Sequence, residues 1–331
     1  MSGVVTTPEY RTKLTRPTNI IAVGNNLYVS DEMGWNDAKI LTITPDGNIK
    51  DYECKSKNGE KDSLLLNNLC RFLNNACGIV AINDTLYIAD AINHKIFTIN
   101  RYGLLNHIAG PWSYQTGDTD GKEEVARFNH PGSITAIGDT LYVADAYNNR
   151  IRKITPDGNV TTFAGSKAGY ADSVGTDAKF NNPHGIVAVG KDLYVTDSGN
   201  NLIRKIDPNG AVTTIAGSDR GDEDGLVTEA RFNFPTNITA MEGVLYIVDA
   251  GNRRIRKIDL GIRPTNENRA RKKNVLEELR TLPPVNGMFP GGIEFQEAEE
   301  RFREAQTVRR GKRSRKQLKK SRTTRKTKKY N

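Results

Sequence analysis

A short apolar segment that ends in aspartate recurs five times along the chain: LYVSD at 27–31, LYIAD at 86–90, LYVAD at 141–145, LYVTD at 193–197 and LYIVD at 245–249. Each copy follows one apolar segment, such as GIVAVG at 185–190, and precedes another, such as LIRKI at 202–206. A Pro-Asp-Gly or Pro-Asn-Gly turn then leads into a fourth segment, such as NVTTFAG at 159–165. Segments rich in Val, Ile, Thr and Tyr between turn residues predict four-stranded antiparallel meanders.

The regular spacing of these meanders predicts an all-β fold, a β-propeller over residues 1–261. Successive copies begin 59, 55, 52 and 52 residues apart. One such sheet cannot bury both of its faces, but sheets repeated around an axis each pack against two neighbours. Five copies indicate five blades, because the 59-residue interval is too short for two blades. A six-bladed ring is the alternative.

The end of the repeat predicts how the ring closes. The last repeat stops after its third segment, RIRKI at 254–258, and GVVTT at 3–7 resembles the fourth-strand segment GNVTT at 158–162. We therefore predict that residues 3–7 complete the last blade. This pairing removes an open sheet edge, which would otherwise invite aggregation.

The order of residues within the unit points to a known family. The patterns F-N-x-P-x-x-I, L-Y-[VI]-x-D-x-x-N, R-I-R-K-I and P-[DN]-G follow one another in register. This unit resembles the NHL repeat, most closely over residues 180–217. The resemblance covers about residues 16–260 and departs from the pattern at 32–38 and 51–70. It implies a propeller of a class that includes six-bladed rings, RNA-binding proteins and metal-dependent enzymes.

Residues present in most blades are expected to serve the fold. The recurring aspartates could form an acidic ring for a cation, but asparagine follows three positions later in four blades, and Asx side chains fix tight turns. We therefore interpret these aspartates as structural: Asp31, Asp90, Asp145, Asp197 and Asp249. The recurring basic pairs could form a nucleic-acid-binding stripe, or could pack their stems on apolar surface. We favour solvated or packing side chains over a binding stripe for Arg152/Lys153, Arg204/Lys205 and Arg256/Lys257.

The candidate chemistry does not favour an enzyme. Resemblance to NHL-like amidating lyases would imply a zinc ion held by histidines from several blades, but only His184 falls at such a position, with Cys77 as a second ligand. The corresponding positions elsewhere are Thr18, Gly132 and Thr236. The acidic loops 118–128 and 222–232 lack the ligand spacing of an EF-hand. The chain has no nucleophile-elbow, HExxH or phosphate-loop motif. We predict no catalytic residue, metal or cofactor; a metal-dependent propeller hydrolase or lyase, lactonase-like or amidating-lyase-like, is the alternative.

Residues that differ between blades are the candidate binding residues. The loops that enter each first strand and those that join the second strand to the third emerge on one face of a four-stranded meander. Exposed aromatic side chains with Arg and His nearby are common anchors of binding surfaces. The candidate partner-binding face, expected to engage a protein, comprises Trp35, His94, His130, Tyr147, His184, Phe234 and Arg253.

The excess positive charge lies at the C-terminal end. The net charge is +9, yet residues 309–331 alone carry 13 Lys and Arg and no acid. Such a tail is expected to be disordered and to bind nucleic acid or another polyanion without sequence preference, or to act as a nuclear-localisation segment. Its basic residues are Arg309, Arg310, Lys312, Arg313, Arg315, Lys316, Lys319, Lys320, Arg322, Arg325, Lys326, Lys328 and Lys329.

The region between the propeller and the tail, 262–308, predicts a helical extension. Apolar residues recur at helical spacing over 265–282 and again over about 293–309. No segment approaches the roughly 18 apolar residues of a membrane span, and the first residues lack a signal-peptide core. Three cysteines favour a reducing, intracellular compartment. The basic runs of the tail make a nuclear location one alternative. The tail composition resembles that of proteins of large DNA viruses, which makes a structural virion or viral-factory component another.

Overall fold

A computed structural model describes residues 4–7, 14–15, 17–23, 25–32, 38–44, 48–52, 78–82, 85–100, 105–113 and 115–262. The predicted C-terminal helices, the basic tail and Trp35 lie outside these residues. Within them, the sequence folds into antiparallel strands joined by tight turns, and no helix is long and apolar enough to cross a membrane.

The strands follow the predicted repeat. They are β1 (Val4–Thr6), then β2 (Pro17–Val23), β3 (Asn26–Glu32), β4 (Ala38–Ile43) and β5 (Ile49–Tyr52), and then β6 (Gly78–Ile82), β7 (Thr85–Asp90), β8 (Lys95–Asn100) and β9 (Leu105–Ala109). Next come β10 (Gly121–Lys122), β11 (Pro131–Ile137), β12 (Thr140–Asp145), β13 (Arg150–Ile154) and β14 (Asn159–Gly165). The remainder are β15 (Pro183–Val189), β16 (Asp192–Asp197), β17 (Leu202–Ile206), β18 (Val212–Ala216), β19 (Gly225–Leu226), β20 (Pro235–Met241), β21 (Val244–Asp249) and β22 (Arg254–Asp259).

These strands form five sheets, which confirms the five-bladed propeller. Blade 1 has the order β2-β3-β4-β5, blade 2 the order β6-β7-β8-β9, and blade 4 the order β15-β16-β17-β18. Blade 3 adds the short strand β10 outside β14, and blade 5 has the order β19-β1-β22-β21-β20. Short 3₁₀ turns at Ala146–Asn148, Ser198–Asn200 and Ala250–Asn252 join the second strand to the third in blades 3, 4 and 5.

The predicted ring closure is confirmed. In blade 5, β1 pairs antiparallel with β22, with Val5 opposite Ile258 and Thr6 opposite Lys257. On its other side β1 pairs with β19. The side chain of Val5 is fully buried in the core between blades 4 and 5. The N-terminal segment is therefore the fourth strand of the last blade.

The hydrophobic core lies between neighbouring blades. Between blades 3 and 4, for example, Tyr142, Ile151 and Phe180 pack against Ile186 and Val195. The first strands contact one another around the centre: β6 with β11, β11 with β15, β15 with β20, and β20 with β2. The sheets of blades 3, 4 and 5 thus bury both faces against their neighbours, which is the reason for the repeat.

The first strands approach one another closely at two glycines. A Cβ atom on Gly78 would lie 2.4 Å from the Ser133 Cα, and one on Gly185 would lie 2.7 Å from the Asn237 Cα. Only glycine tolerates such a close approach of backbones. At these two positions the first strands of neighbouring blades therefore pack backbone against backbone.

Candidate functional site

In blades 3, 4 and 5 the recurring aspartate holds the blade to the loop before it. In blade 4, Asp197 is fully buried and accepts hydrogen bonds from the Asn181 N–H at 2.7 Å and from Asn200 Nδ2 at 2.9 Å. Asp145 and Asp249 make the same pair of bonds in blades 3 and 5. Burial raises the pKa of Asp145 and that of Asp249 to about 6, despite these donors. At each of these three positions, the prediction of a structural aspartate is confirmed.

The repeated arginines are interior residues. Arg204 Nη1 lies 2.6 Å from Asp197 Oδ2, and Arg204 Nη2 lies 2.6 Å from Asp172 Oδ1 in the preceding inter-blade loop. Its guanidinium also lies 5.1 Å from the ring centre of Phe180. The side chains of Arg152 and Arg256 are likewise 0% exposed and paired with Asp145 and Asp249.

The lysines of the repeated pairs are also engaged at two positions. Lys205 Nζ lies 2.7 Å from Asp192 Oδ2. Lys257 Nζ lies 5.4 Å from the ring centre of Tyr246. Together with the buried arginines, these contacts confirm packing rather than a basic stripe at Arg204/Lys205 and Arg256/Lys257.

A second set of contacts joins neighbouring blades at the loop ends. Asn149 and Asn201 adopt left-handed backbone at the end of the turn between the second and third strands, with φ of 56° and 58°. Asn149 Oδ1 accepts a hydrogen bond from the Asn182 N–H at 2.9 Å, and Asn201 Oδ1 accepts one from the Phe234 N–H at 2.8 Å. Each asparagine thereby links its blade to the next one.

At the junction of blades 2 and 3, His94 takes the position of Asn149 and Asn201, and His130 takes the position of Asn182. His94 has the same left-handed backbone, with φ of 58°, and its Nδ1 accepts a hydrogen bond from the His130 N–H at 3.0 Å. Because Nδ1 accepts, the proton of neutral His94 is on Nε2. The His130 ring stacks on Tyr147 with centroids 4.6 Å apart and lies 6.1 Å from the His184 ring. The structure therefore brings four of the predicted residues together.

The three histidines are neutral at pH 7. Burial lowers the pKa of His94, although the nearby charge of Asp90 opposes it. Burial, and then the charge of His94, lowers the pKa of His130. Burial lowers the pKa of His184 to about 4, and its Nδ1 lies 3.0 Å from the Thr236 carbonyl oxygen, to which it donates. The cluster is therefore uncharged.

The same cluster does not present the donor set of a zinc site. The Nδ1 of His94 accepts a backbone hydrogen bond and its Nε2 carries the proton, so neither nitrogen is free to ligate a metal, and Gly132 and Thr236, the positions equivalent to His184, carry no imidazole. In the part of the chain that the structure describes, no three His, Cys, Asp or Glu side chains are grouped as metal ligands. Cys77, the second predicted ligand, lies outside the described residues.

The other candidate residues occupy separate blade junctions. Phe234 lies 43% exposed before β20, and Arg253 lies exposed at the end of the turn after β21. Both have left-handed backbone, with φ of 53° and 57°. The sequence reasoning missed Ile92, which is 56% exposed at the position that Tyr147 occupies in the next blade. A position-by-position comparison of the blades would have found it. We call these residues the rim face: Ile92, His94, His130, Tyr147, His184, Phe234 and Arg253.

Comparisons with known proteins agree with this geometry. An NHL repeat model matches residues 180–206. The chain is 31% identical over 199 residues to the chloroplastic protein SUPPRESSOR OF QUENCHING 1 of Arabidopsis thaliana, covering 54% of this chain and 18% of that protein. It is 25% identical over 261 residues to NHL repeat-containing protein 2 of Homo sapiens, covering 67% of this chain and 35% of that protein. The chain thus spans about a third or less of the length of these relatives.

Solved structures share the fold. A protein of unknown function from Bacteroides thetaiotaomicron superimposes with a TM-score of 0.60 at 22% identity, covering 78% of this chain and 76% of that one. An auxiliary nutrient binding protein from the same organism gives a TM-score of 0.52 at 18% identity, covering 77% of this chain and 76% of that one. At such identities the likeness concerns the fold.

Proposed function

Because the chain is an NHL-repeat β-propeller, we propose that it is a non-enzymatic protein-interaction scaffold whose rim face binds a protein partner and whose basic tail binds nucleic acid. One observation carries the scaffold role: blades 3, 4 and 5 share a buried Asp–Arg pair but differ in their exposed rim residues. Tyr147 and Phe234 are exposed aromatic side chains, and Arg253 is an exposed cation. These residue types are frequent anchors of protein interfaces.

The assignment of nucleic acid to the tail is supported by charge. Residues 309–331 carry 13 positive charges, and Arg152, Arg204 and Arg256 of the propeller are buried against carboxylates. Binding to phosphates by such a tail releases counterions and falls steeply with salt. With about 6–10 phosphate contacts, the affinity drops by about 10³–10⁵ between about 50 and 200 mM salt.

The experiment compares the full chain with a variant that ends at Val308. Fluorescence anisotropy with a labelled duplex and a labelled single strand gives the affinity across a salt series. We expect steep salt dependence for the full chain and loss of binding in the truncated variant. Retention of most of the affinity by the truncated variant would overturn the assignment, because the propeller would then bind phosphates itself.

The scaffold role is tested on a second variant with an intact tail. Phe234→Asn and Arg253→Asn introduce the residue type that blade 4 carries at the equivalent positions, Asn182 and Asn201. Quantitative affinity purification should recover proteins that bind the full chain and the tail truncation equally but bind a rim variant more weakly. Identical protein profiles for the full chain and for variants at each exposed rim position would count against a scaffold.

A further inference from the structure

One sector of the rim face differs from the rest in exposing apolar side chains in two consecutive blades. Tyr147 in blade 3 occupies the position of Gly199 in blade 4 and Gly251 in blade 5, and its N–H donates to the Asn129 carbonyl oxygen just as theirs donate to Asn181 and Asn233. Ile92 holds this position in blade 2. Ile92 and Tyr147 are 56% and 57% exposed. Blades 4 and 5 have glycine there, and the equivalent position in blade 1, Met33, lies outside the described residues.

The aromatic part of this sector is held in place before any partner arrives. The Tyr147 ring stacks almost flat on His130, with an interplanar angle of 14°. The His130 backbone is fixed in turn by its hydrogen bond to His94 Nδ1, across the blade junction. A side chain that is already ordered loses little conformational entropy on binding. The solvent-facing side of Tyr147 is therefore a prepared contact surface.

The sector is also free of charge. The described loop segments 91–94, 129–132, 146–149 and 181–184 contain no Asp, Glu, Lys or Arg. The adjacent Asp90, Lys95 and Asp145 are buried, and the adjacent Arg150 is partly exposed and ion-paired with Asp118. His94, His130 and His184 are neutral at pH 7 because burial lowers their pKa values. A phosphate or carboxylate docked here would lose hydration without gaining a counter-charge.

We propose that Ile92, His94, His130 and Tyr147, which we call the blade 2–3 sector, dock an uncharged segment of a partner protein that presents apolar side chains. This inference rests on the proposed scaffold role and names the place and the chemistry of the contact. Ile92 offers no hydrogen-bonding group, so its part of the sector favours an apolar side chain. Its neutrality complements an uncharged segment and disfavours the polyanions assigned to the tail.

The test uses substitutions for which the other blades provide a precedent. Ile92→Gly together with Tyr147→Gly introduces the residue that blades 4 and 5 carry at the same position. The matched control is Val174→Gly, which removes an exposed apolar side chain outside the rim face. Circular dichroism and thermal melting verify that both variants remain folded. The probe is a random linear peptide library displayed on phage, panned on the full chain with excess heparin to occupy the tail.

We expect the enriched peptides to be uncharged and to contain aromatic or aliphatic anchors. Synthetic copies should bind the Ile92→Gly/Tyr147→Gly variant at least about tenfold more weakly than the full chain, and should bind the Val174→Gly control with unchanged affinity. Peptides that bind the glycine variant as tightly as the full chain, or that are acidic, would overturn the sector while leaving a scaffold role elsewhere on the rim. The proposal would also be overturned if panning on the full chain enriched no peptide relative to panning on the glycine variant.

Discussion

Replacing Arg204 with methionine tests how the buried ion pairs support the propeller. The guanidinium donates to Asp197 and Asp172 at 2.6 Å each, to the Ala171 carbonyl oxygen at 2.9 Å and to the Lys179 carbonyl oxygen at 3.1 Å. Methionine preserves much of the apolar contact of the side chain but makes none of these bonds. The variant therefore leaves Asp197 buried with only neutral donors.

The expected loss of stability is about 3–5 kcal/mol, the range for removing one partner of a buried ion pair. Blade 2 shows what a blade without the arginine needs. There Phe97 takes the arginine position, and Asp90 accepts bonds from the Ile92 N–H, the Asn93 N–H and Asn93 Nδ2. In the Arg204→Met variant, Asp197 would keep only two donors, so no third donor replaces the guanidinium.

Urea-induced unfolding of the full chain at pH 7, with Arg204→Lys as a control that retains the charge, gives the difference in unfolding free energy. The pH dependence provides an independent check. Burial raises the pKa of Asp197, and loss of Arg204 raises it further. Asp197 of the folded variant then binds a proton more tightly than Asp197 of the unfolded chain. The variant's loss of unfolding free energy is therefore largest at pH 7 and shrinks as the pH falls through the folded-state pKa of Asp197.

A loss below about 1 kcal/mol, as for an exposed pair, would refute this reasoning. So would a deficit that is the same at pH 7 and at pH 5, since no buried carboxylate would then have been left without its cation. The lysine variant should fall between methionine and the native arginine, because it supplies the charge but cannot bridge four acceptors.

Two further predictions concern the ring closure and the histidine junction. Deleting residues 1–7 removes β1 and the two hydrogen bonds from Thr7 to Asp224; calorimetry should show a lower melting temperature, and gel filtration should show association through the exposed edge of β22. At the blade 2–3 junction, the pKa of His94 lies below its ordinary 6.5, so the unfolded chain takes up its proton first and stability is lost as the pH falls below about 6.5. His94→Asn should reduce this loss, and hydrogen exchange of the His130 amide, corrected for the intrinsic rate, should become independent of pH between 7 and 5; equal pH dependence in both proteins would contradict the assigned acceptor.

The blades and their closure could be predicted because they depend on local patterns that repeat in register. The LYxxD segments mark the second strands, and the resemblance of 3–7 to 158–162 identified the missing fourth strand. The exposed apolar pair was harder to predict. Ile92 carries no special chemistry, so a search for His, Arg and aromatic residues passed over it. Only its position relative to Gly199 and Gly251 marks it as unusual.

Contacts between blades could not be predicted in detail. His130 and His184 are 54 positions apart in the sequence, and their 6.1 Å ring separation depends on the twist and curvature of two sheets. The carboxylate that pairs with each buried arginine could have been predicted from the sequence. Asp145 and Arg152, Asp197 and Arg204, and Asp249 and Arg256 share a seven-residue spacing, whereas blade 2 has Phe97 in the arginine position. This joint occurrence was a usable signal for an ion pair.

The repeated contacts explain why the rim can vary without loss of the fold. The turn after Asp197 is fixed by the bonds of Asp197 to Asn181 and Asn200 and, at its end, by the bond from the Phe234 N–H to Asn201. None of these bonds uses the side chain at the position of Gly199. That position can therefore change without loss of these bonds, although a Cβ on Gly199 would lie 2.5 Å from Asn181 Cγ, so the Asn181 side chain would have to shift. The buried arginines do not make the rim basic, because each is neutralised by a carboxylate within the blade and adds little to the surface potential. We therefore expect phosphate binding at the tail and apolar recognition at the rim. Mutations should be able to remove either binding activity without affecting the other.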